Sequence, residues 1–416
     1  MVEVTLAANV VRLVINDGKR YVDAIDEVFP DERKIFQSSN ISVLLAKQAL
    51  KHFFLFENII NELQIELNSK QRSLLYVVLA NNFYANVIRN NNVNSFIEHE
   101  LDKEQFAKIM PILNRKEPLE DLISFDRDSD FYYATKYNCP IWLVHMWRKH
   151  YGDKIVEDFL SASMNYNLQS YVVNTLKTTL EDIMLKYPDF SSPFKDMLIY
   201  HGTRRYTETP EFKNDAYIDV KIGFKTFIDT IYNPFKEMLL YSGYDDDFAK
   251  TLIIKTDKKQ GLNIAVPNLD KRASLMRFIR TNDIHNVNLF EAKDEFGLKA
   301  GVSYEQDTVI VFPESTRFDI ASKYPDYLLH VDRDKLDAII SKEKEALELC
   351  APFVNEGGQL IYIVNTLNKK ESTVIIQDFL KEHPQFTLVS EDLLLASHPF
   401  ATTMYYAILA RGEEND

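Results

Sequence analysis

Residues 343–366, EKEALELCAPFVNEGGQLIYIVNT, decide the fold class, because they predict a helix, a glycine turn and a buried strand in succession. Residues 343–353 carry apolar side chains at helical spacing. Gly357 and Gly358 follow, and glycine readily adopts the positive φ that ends a helix. Residues 359–365 are then rich in β-branched and aromatic side chains, which is typical of a strand. The segment therefore predicts one helix–strand unit of an α/β sheet.

Other short β-rich runs lie at comparable intervals after about Leu168, with helical segments between them. They are SYVVNTLK at 170–177, MLIYHG at 197–202, TLIIKT at 251–256, NIAVPN at 263–268, TVIVFP at 308–313 and MYYAILA at 404–410. A further helix is predicted over 375–382, with Pro384 ending it and FTLV at 386–389 opening a late strand. Strands that alternate with helices favour βαβ units and a mostly parallel sheet.

The first third of the chain is predicted to be all helical, because apolar residues recur there at helical spacing between polar breaks. The helices are predicted over 4–17, 41–53, 54–66, 70–89 and 103–112. Asn68 precedes the fourth helix and can accept a hydrogen bond from an amide of its first turn, as an N-cap does. The asparagine-rich stretch 90–94 is predicted to be a loop, and residues 115–130 a charged connector. A domain boundary is therefore expected near residue 125.

Composition and net charge exclude several classes of protein. The chain has 416 residues, of which 46% are hydrophobic, and its net charge is -14 with a pI of about 5.2. Such a chain folds, and its acidic balance opposes non-specific attraction to nucleic acid or anionic membrane, so any RNA site must be local. Two cysteines cannot form a metal cluster or a disulfide framework. With no basic leader and no apolar run of about 20 residues, a cytoplasmic location is expected.

Two segments in the middle of the chain resemble motifs of a known enzyme family. Residues 137–153, YNCPIWLVHMWRKHYGD, resemble the pattern S-x-P-x-W-L-x-x-x-W…G, and residues 173–179, VNTLKTT, resemble R-V-N-T-L-K-T. Both patterns belong to the Sun/Fmu family of RNA cytosine-C5 methyltransferases. Further matches follow in the same order: Lys271-Arg272, Tyr324-Pro325-Asp326, GGQLIY at 357–362 and MYYAILAR at 404–411. The chain is thus similar to this family over nearly its whole length.

The resemblance implies an α/β protein of three domains. Residues 1–125 would form a helical NusB-like domain, residues 126–210 a small α/β linker domain that contacts RNA, and residues 211–416 a Rossmann-like methyltransferase domain with a mostly parallel sheet. It also implies S-adenosylmethionine as cofactor and structured RNA, ribosomal in the bacterial enzymes, as partner.

The family's two cysteines are missing from the matching positions. Methylation of cytosine at C5 begins with attack on C6 by a soft nucleophile, and a thiolate suits that step. The family carries its cysteines in T-C-S and P-C-S, where this chain has Asn365 and Glu314 respectively. Cys139 and Cys350 lie elsewhere in the sequence and are interpreted as buried structural residues. No catalytic residue is therefore assigned.

The cofactor loop departs from the family as well. Glycine is scarce, with 11 in all, and no two form a G-x-G pair. The family's A-A-P-G-G-K-T loop corresponds to residues 243–251, where one glycine remains and three aspartates, 245–247, follow. Consecutive aspartates suit a helix start but repel the carboxylate of S-adenosylmethionine. Pro267 replaces the acid that binds ribose, although the adjacent Asn268 could donate one hydrogen bond. The candidate cofactor positions are Gly243, Asp245, Asn268, Asp294 and Pro313, and no bound cofactor is expected.

Basic and aromatic residues interleave in the part that resembles the RNA-binding linker. The candidate RNA-binding residues are Arg148, Lys149, Lys177, Arg204 and Arg205, with Trp142, Trp147 and Tyr151 among them. Such sets bind phosphates and stack bases. The alternative is that both tryptophans pack a small core and the basic groups are merely solvated.

Other catalytic constellations are weak. Glu314 with Asp319 or Asp326 could form an acid/base pair, but carboxylates at such spacing are common on surfaces. His145 and His150 lack the i,i+4 spacing that brings two metal ligands together, so no metal site is expected. Two hypotheses remain: an inactive homologue kept for RNA binding or protein interaction, and an active methyltransferase that uses S-adenosylmethionine in a rebuilt site.

Overall fold

The computed structural model describes residues 1–30, 38–165, 169–201, 209–243, 246–256, 261–302, 304–395 and 403–412. The chain divides into two compact units. One comprises Met1–Tyr166 and Ile320–Val331, and the other comprises Asn167–Asp319 and Asp332–Asp416. The boundaries near residues 125 and 210 that the family resemblance implies stay predictions.

The first unit is helical, as the apolar spacing predicts. Its helices are α1 (Val2–Ile15), α2 (Tyr21–Val28), α3 (Ser38–Lys51), α4 (Phe53–Glu62), α5 (Ser69–Ala80), α6 (Asn90–Glu100), α7 (Lys103–Leu113), α8 (Asp130–Lys136), α9 (Ile141–Tyr151) and α10 (Asp153–Asn165). The predicted cap of α5 is present as a full capping box, because Asn68 accepts from the Gln71 amide while the Gln71 side chain accepts from the Asn68 amide. Val10, Leu50, Phe56 and Leu75 are among the buried residues of one shared core.

Two predictions in this unit are wrong. The stretch 90–94 is not a loop but the first turn of α6, which buries Val93 and Ile97 four residues apart. This burial outweighs the poor helix propensity of the asparagines. The helix predicted over 70–89 ends earlier, because α5 stops at Ala80 and a π-helical turn, Asn81–Ala85, follows.

The second unit contains two sheets. Its elements are β1 (Gln169–Val173), α11 (Leu180–Lys186), β2 (Phe190–Ser191), β3 (Met197–Tyr200), α12 (Pro210–Lys213), β4 (Tyr217–Asp219), α13 (Ile222–Ile231), β5 (Met238–Ser242), α14 (Asp246–Thr256), β6 (Leu262–Val266), α15 (Leu269–Thr281), β7 (Val287–Glu291), α16 (Glu295–Gly301), β8 (Gln306–Phe312), α17 (Arg333–Cys350), β9 (Val354–Val364), α18 (Thr373–Glu382), β10 (Phe386–Leu394) and β11 (Met404–Arg411). A small antiparallel sheet has the order β2-β3-β1-β4, and a seven-stranded sheet has the order β10-β11-β9-β8-β5-β6-β7.

The large sheet confirms the predicted α/β class with a mostly parallel sheet. Strands β7, β6, β5, β8 and β9 are parallel, and β11 and β10 add two antiparallel strands at one edge. Successive residues of β5 point to opposite faces of the sheet: Leu239 belongs to the core on one face and Leu240 to the core on the other. Both faces of the sheet are therefore covered, as a parallel sheet requires.

Three details of this unit differ from the sequence predictions. TLIIKT at 251–256 is the end of helix α14 rather than a strand. Nearly all of its residues are buried. Because a buried helix has no polar face, its sequence does not show the helical period. The strand before it, β5, and the half-exposed β7 were not predicted. Gly357 does have a positive φ of 71°, but β9 already begins at Val354, so the glycine lies within the strand.

Connection order fixes where a site can form in the large sheet. The chain runs from β5 to β6 and β7 on one side, then returns to β8 on the other side of β5. Ligands of open α/β sheets bind at such a switch point, beyond the carboxyl ends of the strands. Among the described residues, no helix is both long and apolar enough to cross a membrane.

Candidate functional site

The switch point between β5 and β8 is closed by direct backbone packing. The Gly243 amide donates to the Phe312 carbonyl oxygen at 2.7 Å. A Cβ atom at position 243 would lie 2.8 Å from both the Pro313 Cα and the Glu314 amide nitrogen. Glycine is therefore required here by the neighbouring strand end, and Pro313 is buried beneath it. The one glycine kept from the cofactor loop has a structural reason to be there.

Glu314 and Asn365, which replace the family's cysteines, occupy very different surroundings. Glu314 is exposed, and its carboxylate lies 3.9 Å from the Lys342 ammonium group. Asn365 is fully buried, and neither polar atom of its carboxamide has a hydrogen-bond partner among the described residues. Its backbone amide donates to the Ser315 Oγ at 3.3 Å. Neither side chain can serve as a nucleophile toward C6 of a pyrimidine.

A buried carboxylate, Glu371, joins the loops that follow β8 and β9. Its Oε2 accepts from the Thr316 amide at 2.9 Å, and its Oε1 accepts from the hydroxyls of Thr316 and Thr366 and from the Asn368 amide group at 2.8–2.9 Å. All four residues are buried. The two loops that hold cysteines in the family are thus bound together here by hydrogen bonds.

Glu343 of α17 is a second buried carboxyl group that interacts with Glu371. Burial raises the pKa of Glu343 well above the ordinary glutamate value, and the charge of Glu371 raises it further. Burial also raises the pKa of Glu371, but its hydrogen bonds from Thr316, Thr366 and Asn368 lower it. Glu343 receives no such donors. Burial and the nearby charge therefore both favour the protonated form of Glu343.

Sequence reasoning missed this network. Its members are Thr316, Glu343, Thr366, Asn368 and Glu371. The polar residues that follow the buried strand QLIYIV could have indicated it. Polar residues at the carboxyl end of one parallel strand lie close to those at the carboxyl end of the adjacent strand.

The other candidate cofactor positions serve the fold. Asn268 caps α15 by accepting from the Asp270 amide, and Asp294 caps α16 by accepting from the Gly297 amide. Asp246 begins α14 and lies 3.7 Å from the Lys271 ammonium group. Asp245 lies outside the described residues. Because carboxylates begin α14 and Asn268 has a side-chain donor but no free side-chain oxygen to accept from a ribose diol, the residues present do not fit S-adenosylmethionine.

The two cysteines are fully buried, which agrees with their interpretation as structural residues. Burial raises the pKa of both the Cys139 and the Cys350 thiol well above the ordinary value. Neither thiol is therefore available as a thiolate at neutral pH.

Asp319 and Asp326, the acid/base partners considered for Glu314, form ion pairs or hydrogen bonds with other residues. Asp319 is paired with Lys221 and Arg317. Asp326 accepts from the Tyr21 amide at 2.8 Å and lies 3.7 Å from His330. Within the described ranges, no group of carboxylate, histidine and cysteine side chains could hold a metal ion.

The candidate RNA-binding residues are only partly available. Arg148 is paired with Asp130 and Asp153 at 2.6 Å each, and its side chain is 16% exposed, whereas the neighbouring Lys149 is exposed. Trp147 is fully buried and packs edge-on against Phe159, so it cannot stack on a base. Lys177 belongs to the second unit and donates to the Asn214 carbonyl oxygen. Arg204 and Arg205 lie outside the described residues. A common basic face stays a prediction.

Comparison with curated proteins identifies a relative in sequence, and comparison with solved structures identifies chains of similar fold. A probable ribosomal RNA small subunit methyltransferase B of Bacillus subtilis (strain 168) is 25% identical over 276 residues, 61% of this chain and 58% of the relative. The chain thus spans less than two thirds of that relative. The crystal structure of PH0851 has a TM-score of 0.70 at 18% identity and covers 98% of both chains. That of a methyltransferase homolog from Pyrococcus horikoshii has a TM-score of 0.56 at 12% identity, covering 67% of this chain and 97% of that one.

No family profile matches the chain. Three observations indicate the same similarity: the motifs at 137–153 and 173–179, the curated relative and the shared fold. The chain is therefore similar in its motifs to the Sun/Fmu methyltransferases, and in its fold to solved structures that include a methyltransferase homolog.

Proposed function

We propose that the chain is a Sun/Fmu homologue that forms no 5-methylcytosine and that binds ribosomal RNA in the cytoplasm. The observation that carries this proposal is the structure of the loops after β8 and β9, which contain the positions where the family has its cysteines. One position holds the exposed Glu314, the other holds the buried Asn365, and Glu371 ties the two loops together.

The chemistry of C5 methylation supports the first part. Attack on C6 needs a thiolate, and release of the product is helped by a second thiol in the family. The chain's only thiols, Cys139 and Cys350, are buried and protonated. A carboxamide is not nucleophilic, and a surface carboxylate does not replace a thiolate at this carbon.

The RNA part rests on the relatives. The Bacillus subtilis relative is named as a probable ribosomal RNA methyltransferase, and the similarity to it covers 61% of this chain. Substrate contacts can outlast catalysis, because they depend on surface charge rather than on the reacting groups. If RNA does not bind, the role as a protein-interaction module takes its place.

Purified protein incubated with ribosomal RNA and S-adenosylmethionine is expected to leave no 5-methylcytosine. Nucleoside mass spectrometry measures this directly, and a Sun/Fmu enzyme that carries both cysteines is the positive control. Asn365→Cys alone should not restore the activity, since the new thiol would be as buried as Asn365 is now. Formation of 5-methylcytosine, or of another methylated base, would instead establish the rival function, an active methyltransferase with a rebuilt site.

S-adenosylmethionine is expected to bind weakly or not at all. Asp246 and Asp247 place negative charge at the start of α14, and Asn268 is engaged as a helix cap. A thermal shift assay at millimolar cofactor tests this, because a ligand at a hundred times its Kd adds about 2.7 kcal/mol to the free energy of unfolding. The cysteine-bearing control enzyme should show that shift. A comparable rise in the melting temperature of this chain would mean that its cofactor pocket is intact.

A further inference from the structure

The chain leaves the second unit at the end of the loop that follows β8 and returns to it just before α17. The residues between these points, Ile320–Val331, belong to the helical unit. We call this segment the strap. It begins with hydrogen-bonded turns rather than as an extended linker, because the Ile320 carbonyl oxygen accepts from the amides of Lys323 and Tyr324 at 3.0 Å each. A displacement within so short and folded a segment is therefore passed along the backbone.

Asp326 attaches the strap to the start of α2. Tyr21 is the first residue of that helix, and Arg20 at the N-cap position supplies no side-chain capping bond. The buried Asp326 carboxylate takes this role by accepting from the Tyr21 amide at 2.8 Å. Tyr21 is itself held in the helical core, where its hydroxyl group donates to the Val43 carbonyl oxygen of α3 at 3.0 Å. Loss of Asp326 would leave a buried amide without an acceptor.

Asp319 is the corresponding fixed point in the second unit. Its carboxylate pairs with Lys221, at the start of α13, and with Arg317 at 3.0 Å. Arg317 has a positive φ of 55°, a conformation that a residue with a side chain adopts only where its surroundings hold it. Asp326 follows Asp319 by seven positions in the chain. The two carboxylates therefore fix a short stretch at both ends, one in each unit.

Burial distinguishes these two carboxylates from the exposed ion pairs of the chain. The exposed fraction of the side chain is 1% for Asp319 and 6% for Asp326. Exposed pairs contribute little to stability, because water and salt screen them. A buried carboxylate that accepts from a buried donor holds its partner more firmly, since neither group can exchange the bond for one to water.

We propose that the strap is a covalent link through which the helical unit keeps the end of the loop after β8 in its observed arrangement. While Asp326 caps α2 and Asp319 holds its two basic partners, Arg317 stays in its left-handed conformation. Release of Asp326 lets the strap shift and Arg317 relax, although Glu371 still holds Thr316. This link goes beyond the proposed function and does not depend on RNA binding.

Limited digestion of the full chain with trypsin, followed by mass spectrometry of the fragments, tests the link. The Arg317 side chain is 11% exposed and paired, so the wild type should be cleaved slowly after this residue. Asp326→Ala should speed cleavage after Arg317 and after Arg20 by about 5-fold each, the opening expected for the loss of one helix cap. Asp326→Asn keeps an oxygen that can accept from the Tyr21 amide and should be cleaved like the wild type.

Asp102→Ala is the matched control. Asp102 caps α7, another helix of the same unit, by accepting from the Gln105 amide at 2.8 Å. The control should speed cleavage after the exposed Lys103 of α7 and leave cleavage after Arg317 unchanged. If it also speeds cleavage after Arg317, general destabilisation of the helical unit explains the effect and the link is overturned.

A three-glycine insertion after Lys323 separates the link from a failure to fold. Lys323 is exposed, and the insertion lengthens the strap between its fixed points while it leaves Asp326 in place. Cleavage after Arg317 should rise as in Asp326→Ala, whereas cleavage after Arg20 should stay at the wild-type rate because α2 keeps its cap. If the insertion leaves Arg317 as protected as in the wild type, or Asp326→Ala speeds cleavage after Arg20 alone, Asp326 is only a local cap and the link is wrong.

Discussion

Glu371→Ala is expected to lower the free energy of unfolding by about 4 kcal/mol. The substitution leaves buried donors of Thr316, Thr366 and Asn368 without an acceptor, and each such group costs about 1–3 kcal/mol. Glu371→Gln should be intermediate, because its amide group would meet donors on one side of the side chain.

Urea unfolding followed by circular dichroism provides the measurement, with Glu382→Ala, an exposed glutamate of α18, as the control. The control should change the unfolding free energy by no more than about 0.5 kcal/mol. A loss below about 1 kcal/mol for Glu371→Ala would show that other contacts hold the two loops.

This prediction bears directly on the chemistry of the site. A catalytic loop needs its nucleophile exposed to the substrate, whereas the loop after β9 directs Asn365 into the protein and its neighbours toward Glu371. One cysteine placed at position 365 would therefore enter an interior that is organised around a carboxylate. The side chains of Thr316, Thr366 and Asn368 instead donate to Glu371.

Much of the fold follows from local sequence patterns. The helix and strand of residues 343–366, the cap at Asn68 and the mostly parallel sheet are all present. Sequence patterns failed to predict the correct secondary structure where tertiary packing buries residues against their local preference. TLIIKT is apolar around a whole helix turn, and the run of asparagines at 90–94 is helical because Val93 and Ile97 pack into the core. Local propensity is a weak guide once tertiary burial decides.

The site is less predictable because its members come from separate segments. Asn365 and Glu314 were located by their place in family motifs, but no spacing rule connects Thr316 with Glu371. The aspartates that neutralise Arg148 are also a tertiary feature, as Asp130 lies on a different helix. Runs of charge in a sequence do not show which charges are paired, and only the unpaired ones are available to a ligand.

The contribution of Glu343 to the stability of the folded protein is expected to fall as the pH rises above about 4.5, the ordinary glutamate pKa, because burial raises its pKa in the folded state. The raised pKa means that the folded protein binds a proton that the unfolded chain has lost. One such proton corresponds to a slope of about 1.4 kcal/mol per pH unit, which ends only when Glu343 itself titrates in the folded protein.

Glu343→Gln should remove this slope and make the variant more stable than the wild type at pH 8. A glutamine keeps the shape of a protonated glutamate, but its side chain has no proton to lose in this pH range. Because Glu371 is present in both proteins, the difference between their pH profiles isolates Glu343. Glu345→Gln, on the exposed side of the same helix, should leave the profile parallel to that of the wild type. Parallel profiles for Glu343→Gln and the wild type would mean that Glu343 is ionised in the folded protein, and the proton would then have to be assigned to Glu371.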